Sequence, residues 1–114
     1  MRFSEISSSL ECREFNRGDN FESAVIENVT AGDLMSEVLV FDKENLLLVT
    51  SLNSEQALNT ANMVDALGVL LVNSKTPNHV MISLAEELGV ALLSTPKSMF
   101  DSCAALYNLL HKAG

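Results

Sequence analysis

Eight polar residues gather at three points of the sequence, each time at the end of an apolar run. Thr50, Ser51 and Asn53 follow one run, Asn73, Ser74 and Lys75 the next, and Ser94 and Thr95 the third. Their hydroxyls, amides and one ammonium group can hydrogen-bond a small anionic metabolite or a nucleotide phosphate. Binding, not bond making, is the chemistry they offer. The same residue types also cap helices, because a side-chain oxygen can accept from the free N–H groups of a first helical turn. Asn53, Thr76 and Thr95 have the positions of caps, whereas Ser51, Asn73 and Ser94 have less structural reason to be polar.

Catalytic sets are missing. None of the five glycines, Gly18, Gly32, Gly68, Gly89 and Gly114, begins a GxxxxGK[ST] or GxGxxG motif, so neither a P-loop nor the usual dinucleotide-binding turn is expected. His79 and His111 belong to different segments, and no HxxxH or CxxC spacing supplies the three or four ligands of a zinc or iron site. Neither a metal nor a cofactor is expected. A nucleophile needs a neighbouring base held by a third group; Ser94 with His79 is the one pairing the topology can bring close, and Ser94 also reads as a polar strand end. An enzyme, a hydrolase or transferase, would have to work through Ser94 or Asp33. The sequence reads as non-catalytic.

Composition narrows the partners. The 114 residues carry 15 acidic and 7 basic side chains, a formal net charge of -8. The basic residues are scattered, so a phosphate backbone or an anionic membrane is a poor partner. No apolar run reaches the roughly 20 residues of a membrane span, and residues 1–11 lack the apolar stretch of a secretory signal. A cytoplasmic location is expected, with Cys12 and Cys103 as reduced, buried thiols. Arg17-Gly18-Asp19 spells an adhesion tripeptide, but in such a chain it reads as a turn.

The elements that must position the polar residues follow from periodicity. Leu46-Leu47-Leu48-Val49-Thr50, Val69-Leu70-Leu71-Val72 and Val90-Ala91-Leu92-Leu93 are short continuous apolar runs, the signature of parallel strands buried on both faces. Between them lie segments of helical period. Residues 54–67 turn Ala57, Leu58, Ala61, Val64 and Leu67 inward, with Asn53 as N-cap and Gln56 completing a capping box. Residues 77–88 do the same with Val80, Met81, Leu84, Ala85 and Leu88, after a Thr76-Pro77 start. A last helix after Thr95-Pro96 carries Met99, Phe100, Cys103, Leu106, Tyr107 and Leu110. Leu67-Gly68-Val69 and Leu88-Gly89-Val90 each end a helix with a glycine suited to a left-handed cap.

The N-terminal third is less regular. Phe3, Ile6 and Leu10 fit one face of a short helix, residues 12–15 and 23–29 read as strands, and the segment 31–39 begins a helix with Asp33 as its cap. The fold class expected is α/β: a three-layer, open, mostly parallel sheet with β-α repeats, doubly wound, in one domain spanning residues 1–114. In such sheets ligands bind outside the carboxyl ends of the strands, where the polar residues lie.

Four segments, AGDLMSEVL, LLLVTSLNSEQAL, ALGVLLVNSKTPN and LAEELGVALLSTPKSMFDSCAALYNLL, resemble the DRTGG domain family over roughly residues 22–110. The resemblance implies a fold like the N-terminal domain of HPr kinase/phosphorylase. It also implies a regulatory or dimerising accessory role beside phosphotransacetylases and CBS-containing pyrophosphatases. The name-giving residues are absent: Ser51-Leu52-Asn53 stands in place of the DR pair, and Asn73-Ser74-Lys75 in place of TGG. Lys75 instead adds a positive charge at the ligand edge. The expectation is a non-catalytic regulatory or ligand-sensing module, a homodimer, with a small-molecule ligand or an enzyme partner. The competing expectation is a structural, partner-binding subunit of a metabolic or redox enzyme complex.

Overall fold

The computed structural model describes residues 1–112. Its elements follow the order α1 (Phe3–Ser9), β1 (Arg13–Asn16), β2 (Asn28–Ala31), α2 (Met35–Val38), β3 (Leu46–Thr50), α3 (Glu55–Met63), β4 (Gly68–Leu71), α4 (His79–Leu88), β5 (Ala91–Ser94) and α5 (Met99–Leu110). The three continuous apolar runs are the central strands β3, β4 and β5, every residue of which is buried. The sheet order is β1-β5-β4-β3-β2. All neighbours are parallel except β1, which runs antiparallel to β5 with Arg13 opposite Ser94 and a register irregularity between Glu14 and Asn16.

Strand alternation sorts the core into two layers. Leu46, Leu48, Val69, Leu71 and Leu92 meet Met35, Val38, Leu58, Ala61, Met81 and Ala85, so α2, α3 and α4 share one face. Leu47, Val49, Leu70, Val72 and Leu93 meet Phe3, Ile6, Leu10 and Leu106, so α1 and α5 cover the other. The three-layer, mostly parallel sheet with β-α repeats is therefore as expected, but it is not doubly wound. The parallel strands succeed one another in spatial order from β2 to β5, and their crossover helices all lie on one side. No reversal of strand order creates a crevice, and a site at the carboxyl edge depends on the loops and on the antiparallel edge strand β1.

The helix ends differ from expectation in instructive ways. Helix α3 stops at Met63, four residues short of Leu67, because Asp65 takes the left-handed conformation at φ 56°. The Ala66 N–H then bonds to the Ala61 carbonyl at 2.8 Å and the Asp65 N–H to that of Asn62 at 3.2 Å, a Schellman closure. Gly68 is thus no cap; it lies in β4, where an added Cβ would stand 2.7 Å from the Phe3 ring. Its lack of a side chain lets α1 settle on the sheet. Gly89 does end α4 in the left-handed conformation, at φ 70°.

The expected N-caps are also displaced. Asn78 caps α4, accepting from the Met81 N–H at 2.8 Å, and Ser98 caps α5, accepting from the Asp101 N–H at 3.0 Å. Ser54 occupies the cap position of α3 and Leu34 that of α2. Pro77 and Pro96 belong to loops that run on before their helices begin, so Thr76 and Thr95 stand too early to cap. Asn53, Thr76, Thr95 and Asp33 are released for other contacts.

Val80, expected inside, points outward, 55% exposed, and of the apolar residues of the last helix Phe100 and Tyr107 are 81% and 64% exposed. Each helix touches the sheet along a narrow diagonal, Met81 and Ala85 in α4 and Ser102 and Leu106 in α5, which leaves their flanks outside. Phe21 and Met35 are core, and Phe41 is half-buried. The second strand of the N-terminal third comprises Asn28–Ala31 and not residues 23–29. Cys12 and Cys103 are free thiols, half-buried rather than fully buried; burial, then the charge of Glu14, pushes the Cys12 thiol up to about 12. The Arg17-Gly18-Asp19 turn is docked, with the Asp19 N–H on the Gly89 carbonyl at 3.1 Å and the Arg17 guanidinium 4.1 Å from the Phe21 ring centre. Among the described residues no helix is long and apolar enough to cross a membrane.

Candidate functional site at the carboxyl edge of the sheet

The parallel strands deliver their polar ends to one edge, where two clusters form. The first centres on Asp33, in the loop from β2 to α2. Its carboxylate accepts from Thr50 Oγ1 at 2.8 Å, the Ser51 N–H at 2.7 Å and Ser51 Oγ at 2.6 Å. These bonds favour the charged form, the Ser51 hydroxyl most and then its N–H; burial opposes them, and with Thr50 and the positive Lys75 adding less, the net effect lowers the Asp33 carboxyl from its usual value. Thr50 also accepts from the Leu52 N–H at 3.1 Å, so this buried hydroxyl is fully engaged.

The second cluster surrounds the ends of β4 and β5. Asn73 and Ser74 both adopt left-handed backbones, φ 59° and 57°, in a turn closed by the Lys75 N–H on the Val72 carbonyl at 3.2 Å. The turn is sewn to the loop before α5: the Asn73 N–H bonds to the Lys97 carbonyl and the Ser74 N–H to that of Thr95, at 2.8 and 2.9 Å. Two consecutive non-glycine residues in this conformation cost energy, and those cross-loop bonds hold them there. The side chains of Asn73, Ser74, Lys75 and Thr76 consequently stand exposed.

Beside this turn lies a cleft of about 230 Å³ lined by Glu11, Arg13, Ser74, Thr76, Ser94 and Pro96. Arg13 enters because β1 pairs with β5: opposed residues of an antiparallel pair present their side chains to the same face, and Arg13 is opposite Ser94. Its guanidinium rests 4.9 Å from the Phe15 ring centre. Arg13 is missing from the sequence-derived site, and Thr76, polar at the same strand end, is read there as a helix cap. Arg13 sits in a weakly patterned strand whose partner cannot be read from the sequence, and Thr76 carries a capping signal that Asn78 overrides.

Of the eight sequence-derived residues, Ser74 and Ser94 line the cleft, while Asn73 and Lys75 flank it in the same turn. Ser94 donates to the Lys75 carbonyl at 2.7 Å and Asn53 to the Thr76 carbonyl at 3.2 Å, both bracing the loop. Thr50 and Ser51 belong to the Asp33 cluster instead. Thr95 is completely buried and donates to the Leu10 carbonyl, so it faces α1 and not solvent. The Ser94 hydroxyl meets a backbone carbonyl, which cannot take up its proton, and His79 is not its partner. Among the described residues no group of three His, Cys, Asp or Glu side chains is placed to hold a metal ion.

The architecture defines an open, mostly parallel α/β domain with one antiparallel edge strand and a polar carboxyl edge. No protein-family model matches the chain. No curated protein matches it either. Its fold is shared with the crystal structure of the CBS and DRTGG domains of the regulatory region of Clostridium perfringens pyrophosphatase, complexed with the activator diadenosine tetraphosphate. The TM-score is 0.72 at 13% identity, over 92% of this chain and 45% of that one. The chain thus spans less than half the length of this neighbour. The likeness is one of fold.

Proposed function

We propose that this chain is a regulatory, ligand-sensing module that binds the phosphate-bearing part of a nucleotide or sugar phosphate at the carboxyl edge of its sheet. The observation that carries the reading is that Arg13, Ser74, Thr76 and Ser94 line one cleft. Arginine is suited to a phosphoryl group because its donors form a planar fork. Lys75 adds a second positive charge in the adjoining turn. Glu11 on the same wall asks the ligand to supply donors as well, which ribose hydroxyls or a base amine do. At about 230 Å³ the cleft is smaller than the roughly 300–1,000 Å³ typical of drug-sized ligands. It therefore takes a phosphate and its immediate neighbour rather than a whole dinucleotide.

Support from the comparison is limited to its plain content: a regulatory region sharing this fold is complexed with a nucleotide activator. The role assigned is non-catalytic, in keeping with the unsuitable partners of Ser94 and the lowered basicity of Asp33. Thermal-shift measurements against adenosine mono-, di- and triphosphate, diadenosine tetraphosphate and acetyl phosphate test it. A ligand at one hundred times its Kd stabilises by about 2.7 kcal/mol, a readily measured upward shift. The reading expects such a shift for at least one probe and its loss in Arg13→Gln. No shift with any probe contradicts it.

A second reading, a partner-binding subunit of a larger enzyme assembly, is favoured by the exposure of Leu34, Leu39, Val40 and Met63. Co-purification of a stoichiometric partner without added nucleotide is its test.

A further inference from the structure

Five non-glycine residues among those described hold a left-handed backbone: Glu11, Asn45, Asp65, Asn73 and Ser74. Four of them carry short polar side chains, the kind that can satisfy this conformation by local hydrogen bonds. Glu11 is the exception. It follows Leu10, the C-cap of α1, at φ 53°, and the Cys12 N–H closes on the Ser7 carbonyl at 2.9 Å, the outer bond of a Schellman helix stop. Glycine is the residue such a stop favours. This strained glutamate also lines the cleft that holds Arg13, Ser74, Thr76 and Ser94.

Glu11 and Arg13 bring opposite charges to one cleft without neutralising each other. Among the described residues the ion pairs join Arg17 to Glu14 and to Glu22, and the Arg13 guanidinium lies over the Phe15 ring. Inorganic phosphate or an acyl phosphate offers Glu11 only negative charge and acceptors, so the carboxylate repels it. A phosphate ester whose neighbouring group carries hydroxyl or amine donors instead meets the carboxylate with charge-assisted hydrogen bonds. An acceptor placed this way discriminates against ligands that lack the donor, because it is then left without a partner.

We infer that Glu11 is the specificity residue of the cleft: it rejects inorganic and acyl phosphates and selects a phosphate ester with donor groups next to the phosphate. This selectivity rests on phosphate binding in the cleft as proposed above, and it accounts for a glutamate where glycine would make the more stable helix stop.

Isothermal titration calorimetry with inorganic phosphate, acetyl phosphate, ribose 5-phosphate and adenosine monophosphate tests it on wild type, Glu11→Gln and Glu11→Gly, beside thermal denaturation of each protein without ligand. Wild type should bind one or both esters at least about tenfold tighter than the first two probes. Equal binding of the two esters assigns the donors to the ribose hydroxyls; binding of adenosine monophosphate alone assigns them to the base. Glu11→Gln, which removes the charge at nearly unchanged size, should bring the ratio to within about threefold. Glu11→Gly should abolish the preference while raising the melting temperature by about 2–6 °C. A preference kept in Glu11→Gln, or inorganic phosphate bound by wild type as tightly as the esters, overturns the role of Glu11 and leaves the cleft standing. A melting temperature that does not rise in Glu11→Gly also overturns it, since the glutamate would then stand there at no cost. No binding by any of the four probes overturns the selectivity, and it overturns the cleft as well when the nucleotide panel above shows no shift.

Discussion

Ser51 Oγ donates to the Asp33 carboxylate at 2.6 Å, tying the end of β3 to the loop that follows β2. With the Ser51 N–H and Thr50 Oγ1 on the same carboxylate, the pair gives the carboxyl edge a stability that depends on pH. The folded-state pKa of Asp33 lies below its unfolded value, so the unfolded chain takes up the proton first as pH falls. The contribution is complete above the unfolded carboxylate range of about 4, and it is lost as pH drops through the folded value. Urea denaturation should show wild type losing stability below about pH 4 and Asp33→Ala losing less over that interval. At pH 7 the substitution is expected to cost about 1–2 kcal/mol, since the hydrogen bonds are charge-assisted but the group is exposed.

Gly68 and Phe3 make a second pair whose spacing is critical. A Cβ at residue 68 would stand 2.7 Å from the Phe3 ring, so Gly68→Ala should destabilise by about 1–3 kcal/mol through overpacking. Phe3→Leu costs stability alone, by loss of buried ring surface, but should recover part of the Gly68→Ala loss in the double variant. A double-mutant cycle measures the coupling; strictly additive effects would disprove the contact.

The displaced caps can be separated by three alanine substitutions. Asn78→Ala and Ser98→Ala should each cost about 1 kcal/mol, as removal of a side-chain N-cap does. Thr76→Ala, which leaves both observed caps in place, should stay within about 0.5 kcal/mol of wild type. Equal losses at Thr76 and Asn78 would return the cap to Thr76.

Ser102 is fully buried in α5, and its hydroxyl is without a hydrogen-bond partner. Removing a buried unsatisfied group relieves its desolvation cost. Ser102→Ala should therefore be neutral or raise stability by up to about 1 kcal/mol in thermal or chemical denaturation, where most buried polar replacements lower it.

What was legible in the sequence follows these physical lines. The runs at Leu46, Val69 and Ala91 announced buried parallel strands because a strand covered on both faces has no polar alternation to obscure it. The helices between them were clear from their period, and Gly89 was clear as a left-handed stop. The ends were not, because a Thr-Pro pair looks alike at the first turn of a helix and in a loop two residues earlier. Asp65 ending α3 was invisible, since aspartate enters the left-handed region only when its surroundings require it. Of the residues that line the cleft, Ser74 and Ser94 are legible as polar positions after strands. Arg13 was not: its position depends on β1 crossing to pair with β5, a contact 81 residues away in sequence that no local pattern encodes.

The most direct measurement is nucleotide titration followed by backbone amide NMR, with wild type and Arg13→Gln observed side by side. The account predicts saturable shifts concentrated on Arg13, Ser74, Thr76 and Ser94, absent in the variant. Shifts that cluster elsewhere, or persist unchanged in Arg13→Gln, would contradict it.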